Sequence, residues 1–110
     1  MLTGTVHSIH ITPNFGEQTH PVEEIHTIPN LGIEGDRYFG PTGVGQKRAG
    51  TGRDITLIEI EALEAIYRET GIELTPGNAR RNIVTQGVPL NHLVDKEFHV
   101  GEVRLRGVRL

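Results

Sequence analysis

The sequence predicts a mainly β fold that closes into a small barrel, with one principal α-helix near residues 60–70. Short runs rich in Val, Ile and Thr recur between turn residues, as in all-β domains. A single window shows apolar residues at helical spacing. The 110 residues include 14 glycines, which favours tight turns between many short strands. The length corresponds to one domain spanning residues 1–110.

The first predicted strand covers residues 4–11, where β-branched and polar residues take turns. This alternation slips between Val6 and Ile9, which predicts a β-bulge or an edge strand. Residues 22–28 predict a second, weaker strand, and a Pro-Asn-Leu-Gly turn at residues 29–32 follows it.

Residues 54–59 predict a strand that leads directly into a helix at residues 60–70. Four apolar residues share one face of that helix, and we expect this face to be buried. They are Ile60, Leu63, Ile66 and Tyr67. Gly71 is expected to end the helix in the left-handed conformation that glycine tolerates.

The C-terminal part predicts a further strand and a hairpin. Proline and glycine at the centre of residues 75–78 favour a type II turn, after which residues 80–85 form a strand. Residues 89–94 predict a single helical turn. Apolar residues then alternate on both sides of Gly101 and Glu102, which predicts a hairpin with these two residues at its turn.

Between the two halves lies the glycine-rich stretch FGPTGVGQKRAGTG, at residues 39–52. Its five glycines, one proline and the basic pair Lys47 and Arg48 predict a long mobile loop. Loops of this length are disordered or functional, and both alternatives stay open here.

Composition narrows the classes of function. A net charge of −3 offers no general electrostatic attraction to nucleic acid or to an acidic membrane. No apolar run reaches the roughly 18 residues of a membrane span, and the N-terminus lacks the pattern of a signal peptide. We therefore expect a cytoplasmic protein. The absence of cysteine excludes disulfides, thiolate metal sites and a thiol nucleophile within these 110 residues.

Two short polar segments form the candidate site. Asp36 and Arg37 stand side by side in the glycine-bounded stretch GIEGDRYFG, at residues 32–40. Glycines there allow the backbone to approach a ligand closely. The second segment follows the Pro-Gly turn and consists of Arg80, Arg81 and Asn82.

The strand pattern of the second segment directs one arginine inward. On an extended chain Arg80 and Asn82 share one face, and Arg81 shares the other with Ile83. If Ile83 faces the core, Arg81 does too, and a buried charge needs an acid or a bound anion. Asp36 is the candidate partner in a structural ion pair. Alternatively, the three arginines of both segments converge on phosphate or a similar oxyanion, and the two arrangements are compatible.

The six histidines predict no metal site. His7 and His10 are three residues apart on a predicted strand, so they should face opposite sides and not bind one ion together. The other histidines fall on different elements. Ser8, the single serine, lies in the middle of a strand, which disfavours a serine triad.

Four segments occur in the order GIEGDRYFG, RDITLIEIEALEAI, TPGNARRNIVTQGVPLNHL and FHVGEVRLRG. In this order and spacing they resemble a known family, the MOSC domain at the C-terminus of molybdenum cofactor sulfurases, and in particular its small stand-alone bacterial members. The resemblance covers nearly the whole chain from Gly4 onward. It implies a barrel similar to the β-barrel domain of pyruvate kinase.

The resemblance also implies a function, which is binding of the molybdenum cofactor, carriage or transfer of persulfide sulfur, or both. An enzyme of this kind would be sulfurtransferase-like or a molybdenum-cofactor-dependent oxidoreductase. The residues that match the family's polar motifs would line the pocket for the pterin phosphate, and none is assigned a catalytic role. They are Asp36, Arg37, Arg80, Arg81 and Asn82. The implied partners are an anionic small molecule and a sulfur-donor protein, with pyridoxal phosphate present on a partner desulfurase if at all.

One departure from the family concerns cysteine. The family carries a reactive cysteine shortly after the strands that match GEVRLRGVRL, and this sequence has none up to Leu110. We expect that the sequence stops before the cysteine-containing segment, so that the thiolate would lie beyond Leu110 or on a partner. The alternative is a degenerate member of the family. The alternative function is a non-enzymatic β-barrel module that binds a partner protein through residues 40–52.

Overall fold

The structure, a computed structural model, describes residues 3–14, 16–37, 39 and 54–110. The predicted loop at residues 39–52, and with it the docking role of residues 40–52, lies outside the described residues except for Phe39. The elements follow one another as β1 (Thr5–Ile11), β2 (His20–Val22), β3 (Thr27–Ile28), β4 (Gly32–Ile33), β5 (Leu57–Glu59), α1 (Ile60–Thr70), β6 (Ile83–Gln86), a 3₁₀ helix (Leu90–Leu93), β7 (Glu97–Val100) and β8 (Val103–Arg106).

The main sheet has the strand order β2-β1-β6-β5. β1 is antiparallel to both of its neighbours, whereas β5 and β6 are parallel, with Leu57 and Ile9 both opposite Ile83. Two separate ribbons, β3-β4 and β7-β8, complete the described sheets. The prediction of a mainly β fold with one α-helix is confirmed. Within the described residues β2 and β5 pair on one side only, so these sheets are open and form no closed barrel.

The predicted irregularity of β1 is a β-bulge. The pairing with β6 shifts between Val6, which is opposite Thr85, and Ser8, which is opposite Val84. β1 therefore has one extra residue at His7. Because β1 lies between β2 and β6, the slip in the sequence pattern marks a bulge and not an edge strand.

The prediction of one strand over residues 22–28 is wrong. β2 ends at Val22 and belongs to the main sheet, while β3 begins at Thr27 and pairs with β4. The chain leaves the main sheet after β2 and enters the β3-β4 ribbon at β3, so residues 22–28 cannot form one continuous strand. The predicted turn at residues 29–32 is present, with Asn30 at φ 65° and the N–H of Leu31 donating to the C=O of Ile28 over 3.0 Å.

The helix α1 has the predicted bounds. Gly71 ends it at φ 74°, and its N–H donates to the C=O of Tyr67 over 2.8 Å. The prediction that its whole apolar face is buried is wrong, because Leu63 is buried whereas Ile66 and Tyr67 are 37% and 57% exposed. α1 packs against β5 and β6, which are only three and four residues long and cover part of this face.

The predicted type II turn at residues 75–78 is also wrong. Such a turn needs a positive φ at its third residue, and Gly77 does not have one. Instead the N–H of Ala79 donates to the C=O of Thr75 over 3.1 Å, and Arg80 takes φ 58°. This conformation delays the strand, so that β6 begins at Ile83.

The remaining C-terminal predictions are confirmed. The single helical turn is the 3₁₀ helix, and β7 and β8 form the hairpin with Gly101 and Glu102 between them. No helix among the described residues is sufficiently long and apolar to cross a membrane.

The core of the described protein is half polar. Its buried hydrophobic residues are Ile33, Leu63, Ile83 and Val84. Its buried polar residues are His10, Thr12, Asp36, Asn82 and Thr85. Buried polar groups must be satisfied by specific partners, so their arrangement shows where the fold is organised around polar contacts.

Candidate functional site

The C-terminal end of β1 is the candidate site, because four of the five buried polar residues meet there. His10 and Thr12 belong to this end of the strand or follow it, and Asp36 and Asn82 are hydrogen-bonded to them. The two polar segments predicted from the sequence therefore meet at one strand end. Asn82 is bonded to His10 within β1, and Asp36 is bonded to Thr12 just after β1.

Asp36 and Arg37 are both hydrogen-bonded to the backbone of Thr12. The Oδ1 atom of Asp36 accepts the backbone N–H of Thr12 over 2.9 Å, and the N–H of Arg37 donates to the C=O of Thr12 over 2.7 Å. Gly35, at φ 87°, allows the sharp turn that brings both residues to the strand. The glycine-bounded stretch thus positions an acidic and a basic side chain against the sheet.

Asp36 and Arg37 also form an ion pair, with Arg37 Nη1 and Asp36 Oδ1 separated by 3.7 Å. Their side chains are 1% and 10% exposed, so both charges are largely removed from water. An acidic partner of Arg37 is thus its own neighbour in the sequence. Asp36 Oδ2 and the hydroxyl of Thr12 are buried and have no hydrogen-bond partner among the described residues.

The buried side chain of Asn82 forms hydrogen bonds to two segments of the main sheet. Its Oδ1 accepts the N–H of Thr56 over 3.0 Å and the hydroxyl of Thr56 over 3.1 Å, and its Nδ2 donates to the C=O of His10 over 3.1 Å. Its own C=O accepts the N–H of His10 over 2.7 Å. Asn82 therefore joins β1 to the residue that precedes β5, and most of its side-chain bonding capacity is used within the protein.

Arg80 lines a small cavity of about 130 Å³, together with Gln18, Thr19, Gly77 and Asn78. Its Nη1 donates to the C=O of Glu17 over 2.6 Å, and the hydroxyl of Thr19 donates to the C=O of Gly77 over 2.7 Å. These bonds hold the turn before β6 against the loop after β1. A φ of 58° is uncommon for arginine, and such strain often marks a functional position.

The prediction that Arg81 points inward is wrong. Arg81 is exposed, while Asn82 and Ile83, which follow it, are both buried. The alternation expected for an extended chain fails because Arg80 has a left-handed conformation and β6 has not yet begun. The structure therefore makes Arg37 the largely buried arginine, places Arg80 at a cavity and leaves Arg81 on the surface.

A cluster that sequence reasoning missed lies at the bulge of β1. Ser8 Oγ is 2.9 Å from His10 Nε2 and 3.4 Å from His7 Nδ1. The prediction that His7 and His10 face opposite sides is wrong, because the extra residue interrupts the alternation. Burial lowers the pKa of His10, and the nearby charge of His7 lowers it further. The slip between Val6 and Ile9 was the signal in the sequence that could have revealed this cluster.

The described residues contain no group of three or more His, Cys, Asp or Glu side chains arranged to hold a metal ion.

His10 and Thr56 also take part in the site as backbone or hydroxyl partners of Asn82. Nothing in their sequence context marked them in advance, since their role depends on contacts with residues 26 to 72 positions away.

Comparison with known proteins bears on the fold. No family model and no curated protein matches the chain. Among solved structures, the crystal structure of the YuaD protein from Bacillus subtilis is similar to 88% of this chain, with a TM-score of 0.68 and 21% sequence identity. The chain spans 60% of the length of that protein. At this identity the similarity shows a shared fold and nothing about activity.

Proposed function

We propose that the protein is an oxyanion-binding domain of the MOSC type, with a MOSC-type barrel and a cytoplasmic location, that holds the phosphate end of a molybdenum cofactor. One observation carries the proposal. Two polar segments, more than 40 residues apart in the sequence, are hydrogen-bonded to neighbouring positions, Thr12 and His10, at the same end of β1. These are the segments that match the family's pocket motifs.

Arg80 is the residue that we assign to the anion. Arg80 borders a cavity whose other lining residues include the uncharged polar residues Gln18, Thr19 and Asn78. One cation beside neutral hydrogen-bonding groups suits an oxyanion, since a guanidinium offers several N–H donors in one plane. Among the described residues that line this cavity there is no carboxylate, so none of these side chains would repel a phosphate.

We assign Arg37 a supporting role and not direct contact with the anion. Its contact with the Asp36 carboxylate and its burial make it a poor direct ligand for phosphate, because Asp36 would repel the anion. We assign Asp36 and Arg37 to holding the turn on β1, and Asn82 to holding the start of β6. Arg81, exposed beside Arg80, contributes long-range attraction for an anion.

The described residues fit the phosphate end of the cofactor and not the whole molecule. The cavity of about 130 Å³ is smaller than the roughly 300 Å³ at which small-molecule pockets begin, but it can accommodate a small ion. The pterin ring would need further surface. When bound, the cofactor supplies the redox or sulfur chemistry of molybdenum, and this chain's residues bind and orient it. Sulfur carriage additionally needs a thiol, which these 110 residues do not contain.

Titration with inorganic phosphate, followed by backbone amide chemical shifts, tests the anion site. We expect saturable shifts at residues 17–19 and 77–80, lost in Arg80→Ala and weakened in Arg81→Ala. Arg104→Ala is the matched control, because Arg104 is an exposed arginine on the β7-β8 hairpin. Equal shifts in wild type and Arg80→Ala would remove the site.

The identity of the ligand needs a separate measurement. Molybdenum that stays with the purified protein is measured by mass spectrometry, in wild type and in Arg80→Ala. We expect bound molybdenum in wild type and a loss in the variant. If the protein binds phosphate but carries no molybdenum, the proposed anion site is supported and the molybdenum cofactor is contradicted as its ligand.

A further inference from the structure

A groove is lined by the apolar face of α1 and by the residues that follow the helix. Its volume is about 470 Å³, which lies within the range of pockets that bind ligands. The short strands β5 and β6 cover only part of this helix face, so the groove stays open beside it. Its apolar lining residues are Ile60, Leu63, Tyr67, Leu74 and Pro76.

Three large apolar side chains at the C-terminal end of α1 are exposed to water. Tyr67, which lines the groove, is 57% exposed, and Ile66 and Ile72 are 37% and 61% exposed. A single exposed apolar residue is common, but a group of them beside a groove is typical of an interaction surface. Tyrosine in particular is enriched among the residues that carry the binding energy of protein interfaces.

The charge of the groove indicates the chemistry of its occupant. Glu64 lines it from α1 and Glu73 from the segment after the helix, and both are exposed. Neither carboxylate has a hydrogen bond or an ion pair with another residue in the described part of the chain. The described lining residues include no Lys, Arg or His. An apolar groove with two such carboxylates is complementary to a segment that is both apolar and basic.

We propose that this groove binds an amphipathic segment of another protein, which packs an apolar side chain against Tyr67 and places Lys or Arg beside Glu64 and Glu73. An amphipathic helix in an apolar groove is a recurrent mode of peptide recognition. A second copy of this chain is disfavoured, because a symmetric contact would bring the carboxylates of both copies together. The inference goes beyond the proposed function and does not depend on it, since the groove shares no lining residue with the cavity at Arg80.

Fluorescence anisotropy with a labelled amphipathic peptide of leucine and lysine, about 15 residues long, tests the proposal. We expect saturable binding that weakens as salt is added, and no binding of the peptide in which glutamate replaces every lysine. Tyr67→Ala should weaken binding at least about tenfold, as expected for a central aromatic anchor. Because Tyr67 is exposed, this variant is expected to fold, and Arg80→Ala should bind the peptide as wild type does.

Glu64→Gln combined with Glu73→Gln should weaken binding about fivefold and reduce its dependence on salt. The matched control combines Glu69→Gln with Glu102→Gln, which removes two exposed carboxylates that do not line the groove. Glu69 lies on the opposite side of α1 from Ile60, so the control alters the same helix and should bind as wild type does.

Absence of binding to wild type, equal binding of the two peptides, or equal weakening by the two double variants would overturn the proposal. An affinity unchanged in Tyr67→Ala would do the same. Analytical ultracentrifugation of the protein alone examines the other occupant. A dimer that Tyr67→Ala abolishes would assign the groove to a second copy of the chain and contradict the proposed partner.

Discussion

Asp36 and Thr12 are joined by a hydrogen bond of 2.9 Å from the backbone N–H of Thr12 to the carboxylate Oδ1. The C=O of Thr12 in turn accepts the N–H of Arg37 over 2.7 Å. The two bonds run in opposite directions and join a turn to a strand end 24 residues earlier in the chain. Asp36 thus forms a hydrogen bond with Thr12 and an ion pair with Arg37, and substitutions can remove the ion pair while keeping the hydrogen bond.

Asp36→Asn should lower the free energy of unfolding by about 3 kcal/mol. The substitution keeps the shape of the side chain and an oxygen for Thr12, but it removes the negative charge that faces the largely buried Arg37. Urea unfolding measures the change. The double variant with Arg37→Met should lose less than the sum of the two single variants, because the charges interact. Additive losses would show that they do not.

Arg37→Ala should destabilise the protein more than Arg81→Ala, by about 3 kcal/mol against less than about 0.5 kcal/mol. This order follows from burial, since the side chain of Arg37 is 10% exposed and Arg81 is a surface residue. It is the reverse of the order that the strand pattern around Ile83 predicts. Thermal unfolding of the two variants side by side decides between them.

Asn82→Ala should cost at least about 2 kcal/mol, because it leaves the partly buried N–H of Thr56 and the buried C=O of His10 without the side chain that bonds them. Hydrogen exchange at the amide of Thr56 should accelerate in the variant. Asn91→Ala, at an exposed position of the 3₁₀ helix, is the control and should leave both stability and exchange unchanged. A similar small effect in both variants would contradict the bracing role of Asn82.

His10 should make the protein less stable in mild acid. Its pKa in the folded protein lies below the usual histidine value of about 6.5, because burial disfavours the charged ring and the nearby charge of His7 opposes it further. The unfolded chain therefore binds more protons below about pH 6.5, and stability falls as the pH drops through that value towards the folded pKa. Denaturation between pH 5 and 8 should show a steeper decline in stability towards low pH for wild type than for His10→Gln. Parallel curves would exclude His10 as the cause.

The parts of the fold that the sequence predicted correctly depend on neighbouring residues. Periodicity and the capping glycine Gly71 define α1 within one window, and the hairpin around Gly101 is equally local. Burial of the helix face could not be predicted in the same way. It depends on how far β5 and β6 extend over α1, and these strands prove to be short.

The candidate site was predicted in its residues and not in its geometry. The two polar segments do reach the same strand end, but the orientation of Arg81 followed from an assumed regular strand. A left-handed φ at Arg80 changes that orientation. This conformation could not be predicted from the sequence, because arginine rarely adopts a positive φ. The same holds at His7, where the bulge was foreseen but its effect on the neighbouring histidines was not.

The position of β6 between β1 and β5 has a consequence for the order of assembly during synthesis. β1 emerges from the ribosome before the other described strands, yet its partner Ile83–Gln86 is made more than 70 residues later. Until β6 is inserted, the hydrogen-bonding edges of β1 and β5 that flank it remain open to pairing with other chains. Closure of so long a loop is slow compared with the formation of α1 or of a hairpin. The last strand to join the main sheet is thus the one that unites its two halves, and the nascent chain is most vulnerable to aggregation just before it arrives.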